Sequence, residues 1–281
     1  MDQLAEHERA VKARFRASAA YYRDIYQQDG LNPTIYRERR ARALALVDQL
    51  ALPQESRILE VGCGAGSTAV ALAQRGFNVY AIDIVDPMVD LTRQLAGEAG
   101  VAHRVWAGLG DVHCLPFKDG RFGLVLALAV IPCLHSAAQA IKEMARVVQT
   151  GGFVVLTADN LWNLHHSLDP RCFPALRSVR CKLRDLLEAW GIRTPRRETP
   201  PLRRYSIREF DSMLLAAGLA KLTGMTLGFG PFTLFNHKLL SEMTELKVHR
   251  RLQYHADCHA PLIKSAGSDY IVLARKTGSE A

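Results

Sequence analysis

The stretch Ile58-Leu59-Glu60-Val61-Gly62-Cys63-Gly64-Ala65-Gly66-Ser67 constrains this chain more than any other. Its apolar half reads as a short strand, Arg57 to Val61. The glycines impose a tight turn, and a helix, Thr68 to Arg75, follows. Glycine at every second position marks a place where a Cβ would strike the chain or a ligand lying on the backbone. The helix then presents free N–H groups and the positive end of its dipole to that ligand. Turns of this kind serve nucleotides. The dinucleotide fingerprint is G-x-G-x-x-G/A. With glycines at 62, 64 and 66, its third position falls on Ser67, which argues against that class.

Downstream, Gly76 is placed to end the helix. Asn78 to Asp83 then reads as a second strand closing on an acid, seventeen residues beyond Gly66. A carboxylate there suits both hydroxyls of a ribose, at roughly 1.5–3 kcal/mol for a charged hydrogen bond. His103 to Trp106 suggests a third strand. Next comes Gly110-Asp111-Val112-His113-Cys114-Leu115-Pro116-Phe117-Lys118-Asp119-Gly120-Arg121-Phe122-Gly123-Leu124-Val125, which leads into a fourth strand, Leu124 to Ala129. A helix Ala137–Val148 ends near Thr150-Gly151-Gly152, before a fifth strand, Phe153 to Thr157. A helix Ser206–Ala217, a strand Leu219–Leu227 and a last strand Tyr270–Arg275 complete the pattern. Strands that alternate with helices and are apolar almost throughout call for a parallel sheet covered on both faces.

Glu60-x-Gly-x-Gly-x-Gly resembles motif I of the class I S-adenosylmethionine-dependent methyltransferases. The 110–125 stretch is similar to that family's Gly-Asp-x-x-x-Leu-Pro-Phe-x-Asp-x-x-Phe-Asp-x-Val, with Gly123 in place of Asp. Met144 to Gly152 is similar to its Arg-Val-Leu-x-Pro-Gly-Gly turn, with Thr150 in place of proline. The resemblance is to the small-molecule, methyltransferase type 11-like branch. It implies a doubly wound, Rossmann-like α/β fold with a mostly parallel seven-stranded sheet and helices on both faces. It implies S-adenosyl-L-methionine as cofactor, held by Glu60, Gly62, Cys63, Gly64, Gly66, Asp83, Ile84, Met88, Asp111, Val112 and Leu128. Within that set Asp111 would accept from the adenine amino group and the Val112 N–H would reach the ring.

Outside this core the sequence organises as an N-terminal helical cap, 1–50, and a methyltransferase domain, 51–281, with insertions at about 159–205 and 228–268. An amphipathic helix is expected over 4–28, carrying Val11, Phe15, Tyr22 and Ile25. Asn32-Pro33 is expected to open a second helix to about Leu50. The first insertion places Leu176, Val179, Leu183, Leu186, Leu187 and Trp190 on one helical face and is expected to act as a substrate lid. The second is expected to hold a helix from about Asn236 to Gln253.

The net charge of +8 is concentrated: Arg171 to Arg208 carries eleven Lys and Arg against three acids. That suits a solvated basic face, an anionic small molecule, or an acidic membrane or nucleic-acid surface. The six cysteines lack paired spacing, and Met1 to Arg9 are charged with no apolar run behind them, so a cytoplasmic enzyme with reduced thiols is expected. The longest apolar run, Leu124 to Leu134, is too short to span a bilayer.

Methyl transfer from a sulfonium is an in-line displacement, so the protein mainly aligns the acceptor and excludes water. A hydroxyl acceptor benefits from a base, and the candidates are His135, His165 and His166; Tyr21 and Tyr22 are further pocket candidates. His249, His255, Cys258 and His259 lie close in sequence but match no zinc spacing, so no metal is expected. Asn-Pro-Pro-Tyr or Asp-Pro-Pro-Tyr after the fourth strand is absent, the chain having Leu128-Ala129-Val130-Ile131, and no DNA substrate is expected. The expected function is methylation of a hydroxyl or activated carbon on a lipid-like, phenolic or anionic metabolite. The alternatives are an RNA methyltransferase using the 171–208 segment, a cofactor-binding protein without turnover, and a dehydrogenase.

Overall fold

The computed structural model describes residues 2–278 apart from 170–172, 174–178, 180, 183–184, 187–188, 191–201 and 236. Three helices come first, α1 (Asp2–Ala17), α2 (Ala19–Asp24) and α3 (Leu31–Gln49). The single helix expected over 4–28 is broken at Ser18, whose φ of −103° and ψ of 10° leave helical geometry. α3 begins earlier than expected, because Gly30 takes the cap position at φ +117°; Pro33 falls inside the first turn, where a missing N–H costs nothing. Among the described residues of α1 and α2 none is fully buried, whereas α3 buries Leu31, Ile35, Ala43, Leu44, Leu46 and Val47.

The alternating block is β1 (Arg57–Val61), α4 (Ser67–Gln74), β2 (Asn78–Asp83), α5 (Asp86–Glu98), β3 (Val105–Leu109), β4 (Phe122–Ala127), α6 (Ala137–Val147) and β5 (Val148–Asn160). After it come α7 (Leu164–Leu168), β6 (Arg204–Tyr205), α8 (Ile207–Ala216), β7 (Leu219–Leu227), a hairpin of β8 (Thr233–Leu234) and β9 (His237–Lys238), α9 (Glu242–Asp257) and β10 (Asp269–Lys276). The main sheet has the order β3-β2-β1-β4-β5-β10-β7. The two-residue β6 adds an eighth strand beside Asp159 and Asn160 of β5. Strands β1 to β5 are parallel, and β10 runs antiparallel to both β5 and β7.

All six residues of β4 and four of five in β1 are buried, as strands covered on both faces require. Alternate side chains feed opposite layers: Leu59, Val125 and Phe122 pack with Met144 and Phe210, while Ile58, Leu124 and Leu126 pack with Leu72 and Leu227. Gly123 sits where the β4–β5 register slips between Phe122 and Leu124, so the missing aspartate falls at a bulge. Strand order reverses between β1 and β4, and in open α/β sheets that reversal leaves a crevice at the carboxyl ends of the strands.

In the second insertion the hairpin takes the chain as far as Lys238, which moves the expected helix from 236–253 to Glu242–Asp257. α9 packs beside α3 and holds the loop after β7 through polar contacts. The N–H groups of Gly228, Phe229 and Phe232 donate to Gln253 Oε1, His249 Nδ1 and Glu245 Oε1. His249 is fully buried, and its Nε2 pairs with Glu38 Oε2 on α3 at 3.1 Å, so this histidine is committed to structure. In the basic segment Leu176, Leu183 and Leu187 lie outside the described residues, while Val179, Leu186 and Trp190 are exposed. No described helix is long and apolar enough to cross a membrane.

Candidate active site

The crevice is a cavity of about 340 Å³. Its floor is the glycine turn and the ends of β1, β2, β4 and β5; α1, α2 and α3 roof it, with Val11, Phe15, Tyr22 and Tyr36 facing inward. Thus the N-terminal helices and the sheet together enclose one space.

The three turn glycines have different reasons to be glycine. A Cβ on Gly62 (φ +66°) would lie 2.4 Å from Val130, and one on Gly66 (φ +84°) would lie 2.8 Å from the Thr92 backbone. Both are packing requirements, and Gly66 does not line the cavity. Gly64 (φ +54°) has nothing within 4 Å of that position, and it does line the cavity. Its bare face is room for a ligand to approach the backbone. Cys63 is buried, with Sγ 3.4 Å from Thr92 Oγ1, and burial raises its thiol well above the usual range.

Acids stand around this turn. Glu60 is 3% exposed, and its Oε2 has no hydrogen-bond partner. Burial pushes its carboxyl up to about 8, Asp83 adds to the rise, and Thr68, the Ala69 N–H and Arg40 pull the other way. Asp83 accepts from the Gly64 N–H on Oδ2 and from the Val85 N–H on Oδ1, both at 3.0 Å. These bonds oppose the upward push of its burial and fix the carboxylate against the turn. Asp111 Oδ1 accepts from the His113 N–H at 2.9 Å and lies 2.8 Å from His113 Nδ1. Ile84, Met88, Val112 and Leu128 line the same cavity. Ala129, also in the wall, is held at φ +59° while its N–H donates to Thr157 Oγ1 at 2.6 Å. Such backbone strain is stored at the edges of working sites.

The candidate bases separate. His135 lines the cavity and stacks on His113 at 3.7 Å between centroids; burial first, then His113, lowers its pKa. His165 stands on α7 and is not part of the wall, so it drops out; the side chain of His166 lies outside the described residues. β5 runs on to Asn160 and carries the chain past the cavity before α7 begins, which is why a residue shortly after the strand misses it. Tyr22 faces the cavity, while Tyr21 is exposed beside it.

Sequence reasoning missed Asp159, His7, Arg14, Arg40, His113, Tyr26 and Tyr36, all in the wall. Asp159 is the penultimate residue of β5, past Thr157, where motif reading closes the strand. It is register partner to Asp269, which pairs with the buried Arg39 at 3.0 Å. Burial first, then Asp269, pushes the Asp159 carboxyl up to about 7. A carboxylate titrating there is ready to take a proton near neutral pH. The extension of β5 was its only signal; the α1–α3 residues carried none, because a helical period does not say what a helix covers.

Residues 59–156 match the family model described as a methyltransferase domain. Ajmaline N-methyltransferase of Rauvolfia serpentina is 30% identical over 137 residues, 47% of this chain and 46% of that protein. Demethylmenaquinone methyltransferase of Lactiplantibacillus plantarum is 36% identical over 110 residues, 38% of this chain and 46% of that protein. The matches thus span about half the length of these curated relatives. Among solved structures, magnesium protoporphyrin IX methyltransferase from Synechocystis superposes with a TM-score of 0.62 at 17% identity, covering 96% of this chain and 100% of that one. Geranyl diphosphate C-methyltransferase from Streptomyces coelicolor gives 0.57 at 17% identity, covering 86% and 80%. At these identities the structural likeness is one of fold.

Proposed function

Because this chain carries a class I S-adenosylmethionine-dependent methyltransferase domain, we propose that it methylates a small molecule bound beneath its N-terminal helices. The observation that carries this is one cavity whose wall holds the glycine turn, Asp83 and Asp111 together with Tyr22, Tyr36 and Asp159.

The cofactor end fits an amino-acid nucleoside. Gly64 leaves its backbone bare, the orphaned Glu60 Oε2 awaits a donor, and Asp83 keeps lone pairs for ribose hydroxyls after its two backbone bonds. Asp111 Oδ2 is available to an adenine amino group, with Oδ1 engaged by His113. S-adenosylmethionine brings a methyl group already activated on a sulfonium. The chain's own residues then orient the acceptor and keep water out, which is where aligned displacements gain most.

Toward the acceptor the wall combines the aromatic and apolar side chains of the N-terminal helices with charged members that include Glu8, Arg14, Arg39 and Asp159, which suits a phenolic or lipid-like metabolite that carries a polar group. For a hydroxyl acceptor, Asp159 takes the proton as the oxygen attacks, and His135 is the other group in reach of the space. A roof of helices over the cavity favours a small acceptor over an RNA strand.

Thermal melts with S-adenosylmethionine, S-adenosylhomocysteine and NADH test the cofactor reading. A ligand at 100 times its dissociation constant adds about 2.7 kcal/mol. A shift with the two sulfur nucleosides, lost in Asp83→Ala, supports it. A shift with NADH alone makes the chain a reductase and overturns it.

A further inference from the structure

The basic segment carries an apolar stripe on its outside. Its described positions 179, 181, 182, 185, 186 and 189 are helical, and the Trp190 N–H closes the run on the Leu186 carbonyl at 3.1 Å. At about 100° per residue, Val179, Leu186 and Trp190 fall within about 40° of one another around the helix. They are 60%, 47% and 71% exposed, while Cys181, on the far side, is half-buried. Trp162 and Leu168, at the start of the same insertion, are exposed as well. A helix laid over the protein as a cover turns its apolar side inward, the reverse of what is found. The charge is equally lopsided. Arg171 to Arg208 holds eleven Lys and Arg against three acids, and Arg177, Arg180, Lys182 and Arg184 are interleaved with the stripe in sequence.

We propose that this face docks on an anionic lipid bilayer, the apolar stripe entering the interface and the cations meeting the headgroups. An outward apolar stripe, a tryptophan and a surplus of cations are what a helix lying in the plane of a membrane surface combines. A merely solvated basic face has no need of the stripe. A second copy of this chain would bring the same surplus of cations against it, and like charge repels. A nucleic-acid strand rewards flat aromatic platforms, and Val179 and Leu186 offer none. The placement also serves the acceptor. The segment leaves the cavity wall at Asp159 and rejoins it at Leu202, where the Arg203 N–H donates to the Pro132 carbonyl at 2.8 Å. Docking through it brings a source of lipid-like acceptor to a segment tied at both ends to that wall.

Co-sedimentation of the whole chain with lipid vesicles needs neither cofactor nor acceptor, so docking can fail while the methyltransferase reading stands. On phosphatidylcholine vesicles with about 30% phosphatidylglycerol at about 0.1 M salt, the chain is expected to partition at least about 10-fold more strongly than onto phosphatidylcholine alone. Raising the salt to about 0.5 M should remove most of that gain. Val179→Ser, Leu186→Ser and Trp190→Ser together should weaken partition onto the anionic vesicles by about 10-fold or more, and Lys182→Glu should weaken it several-fold. All four side chains are exposed, so both variants are expected to melt like the parent. No partition onto the anionic vesicles, or partition unchanged by loss of the stripe, overturns the proposal. If the chain retains single-stranded poly(U) and no vesicles, the face belongs to nucleic acid. If it forms a dimer that the triple variant dissolves, and binds no vesicles, the face is a contact between copies. Either result also overturns the proposal.

Discussion

Replacing Glu60 by glutamine gives the sharpest test of the electrostatics at the glycine turn. In the folded chain this carboxyl titrates at about 8, against 4.5 ordinarily, chiefly because it is buried. Between those two values the folded state holds a proton that the unfolded chain has released. The unfolding free energy therefore falls as pH rises across that window. Each pH unit is worth about 1.4 kcal/mol, so the ceiling is about 5 kcal/mol by pH 8. Half of that still moves the melting temperature by about 5–10 °C in a chain of this size. Glu60→Gln has no proton to lose, so its stability carries no such slope from this site. Melts of both proteins at pH 5.5, 6.5, 7.5 and 8.5 read the difference directly. Asp159 titrates at about 7 in both proteins and cancels. The unaltered chain is expected to lose ground to the variant steadily with pH. A difference constant within about 0.5 kcal/mol from pH 5.5 to 8.5 refutes the reasoning.

Three further outcomes are expected. Gly64→Val should remove the melting shift given by S-adenosylhomocysteine at a stability cost of about 1–3 kcal/mol for the left-handed backbone, whereas Gly66→Val should cost more, because its Cβ meets the Thr92 backbone at 2.8 Å; equal costs would contradict the division of roles among the glycines. Arg39→Met strands the buried Asp269 carboxylate and should lower stability by about 3–5 kcal/mol in urea titration, with a loss below about 1 kcal/mol counting against a buried pair. With a hydroxyl acceptor, methyl transfer should rise with pH through about 7 as Asp159 loses its proton; Asp159→Asn should erase that limb while His135→Gln keeps it, and the reverse pattern would return the base role to His135.

The parallel core was legible because its signals are local. Each strand from β1 to β3 closes on glycine or acid, and Gly62, Asp83 and Asp111 all sit at or just past strand ends, where a linear motif can locate them. α8 also falls where the sequence placed a helix, and the Ser206 side chain caps it by accepting from the Glu209 N–H. Legibility failed where a residue's role depends on distant partners. The sequence assigns His249 no role because nothing in its neighbourhood names Glu38, 211 positions away. Asp159 acquires its environment from Asp269 and Arg39, which come from opposite ends of the chain. The roof over the cavity was legible as an N-terminal helical cap, but most of the side chains it turns inward were not, since α1 and α2 have no fully buried residue among those described.

That shallow seating of α1 and α2 has a kinetic consequence. α1 is tied to the core by an exposed ion pair, Arg16 with Asp86, and by His7 Nε2 donating to the Cys133 carbonyl at 3.0 Å. An exposed pair contributes at most about 1 kcal/mol and weakens with salt. α3, by contrast, is anchored through the buried Arg39 and a row of apolar side chains. The cavity therefore has one rigid wall and one that detaches at little expense. Traffic in and out runs past the first two helices, and the dwell time of a spent nucleoside should shorten as ionic strength rises.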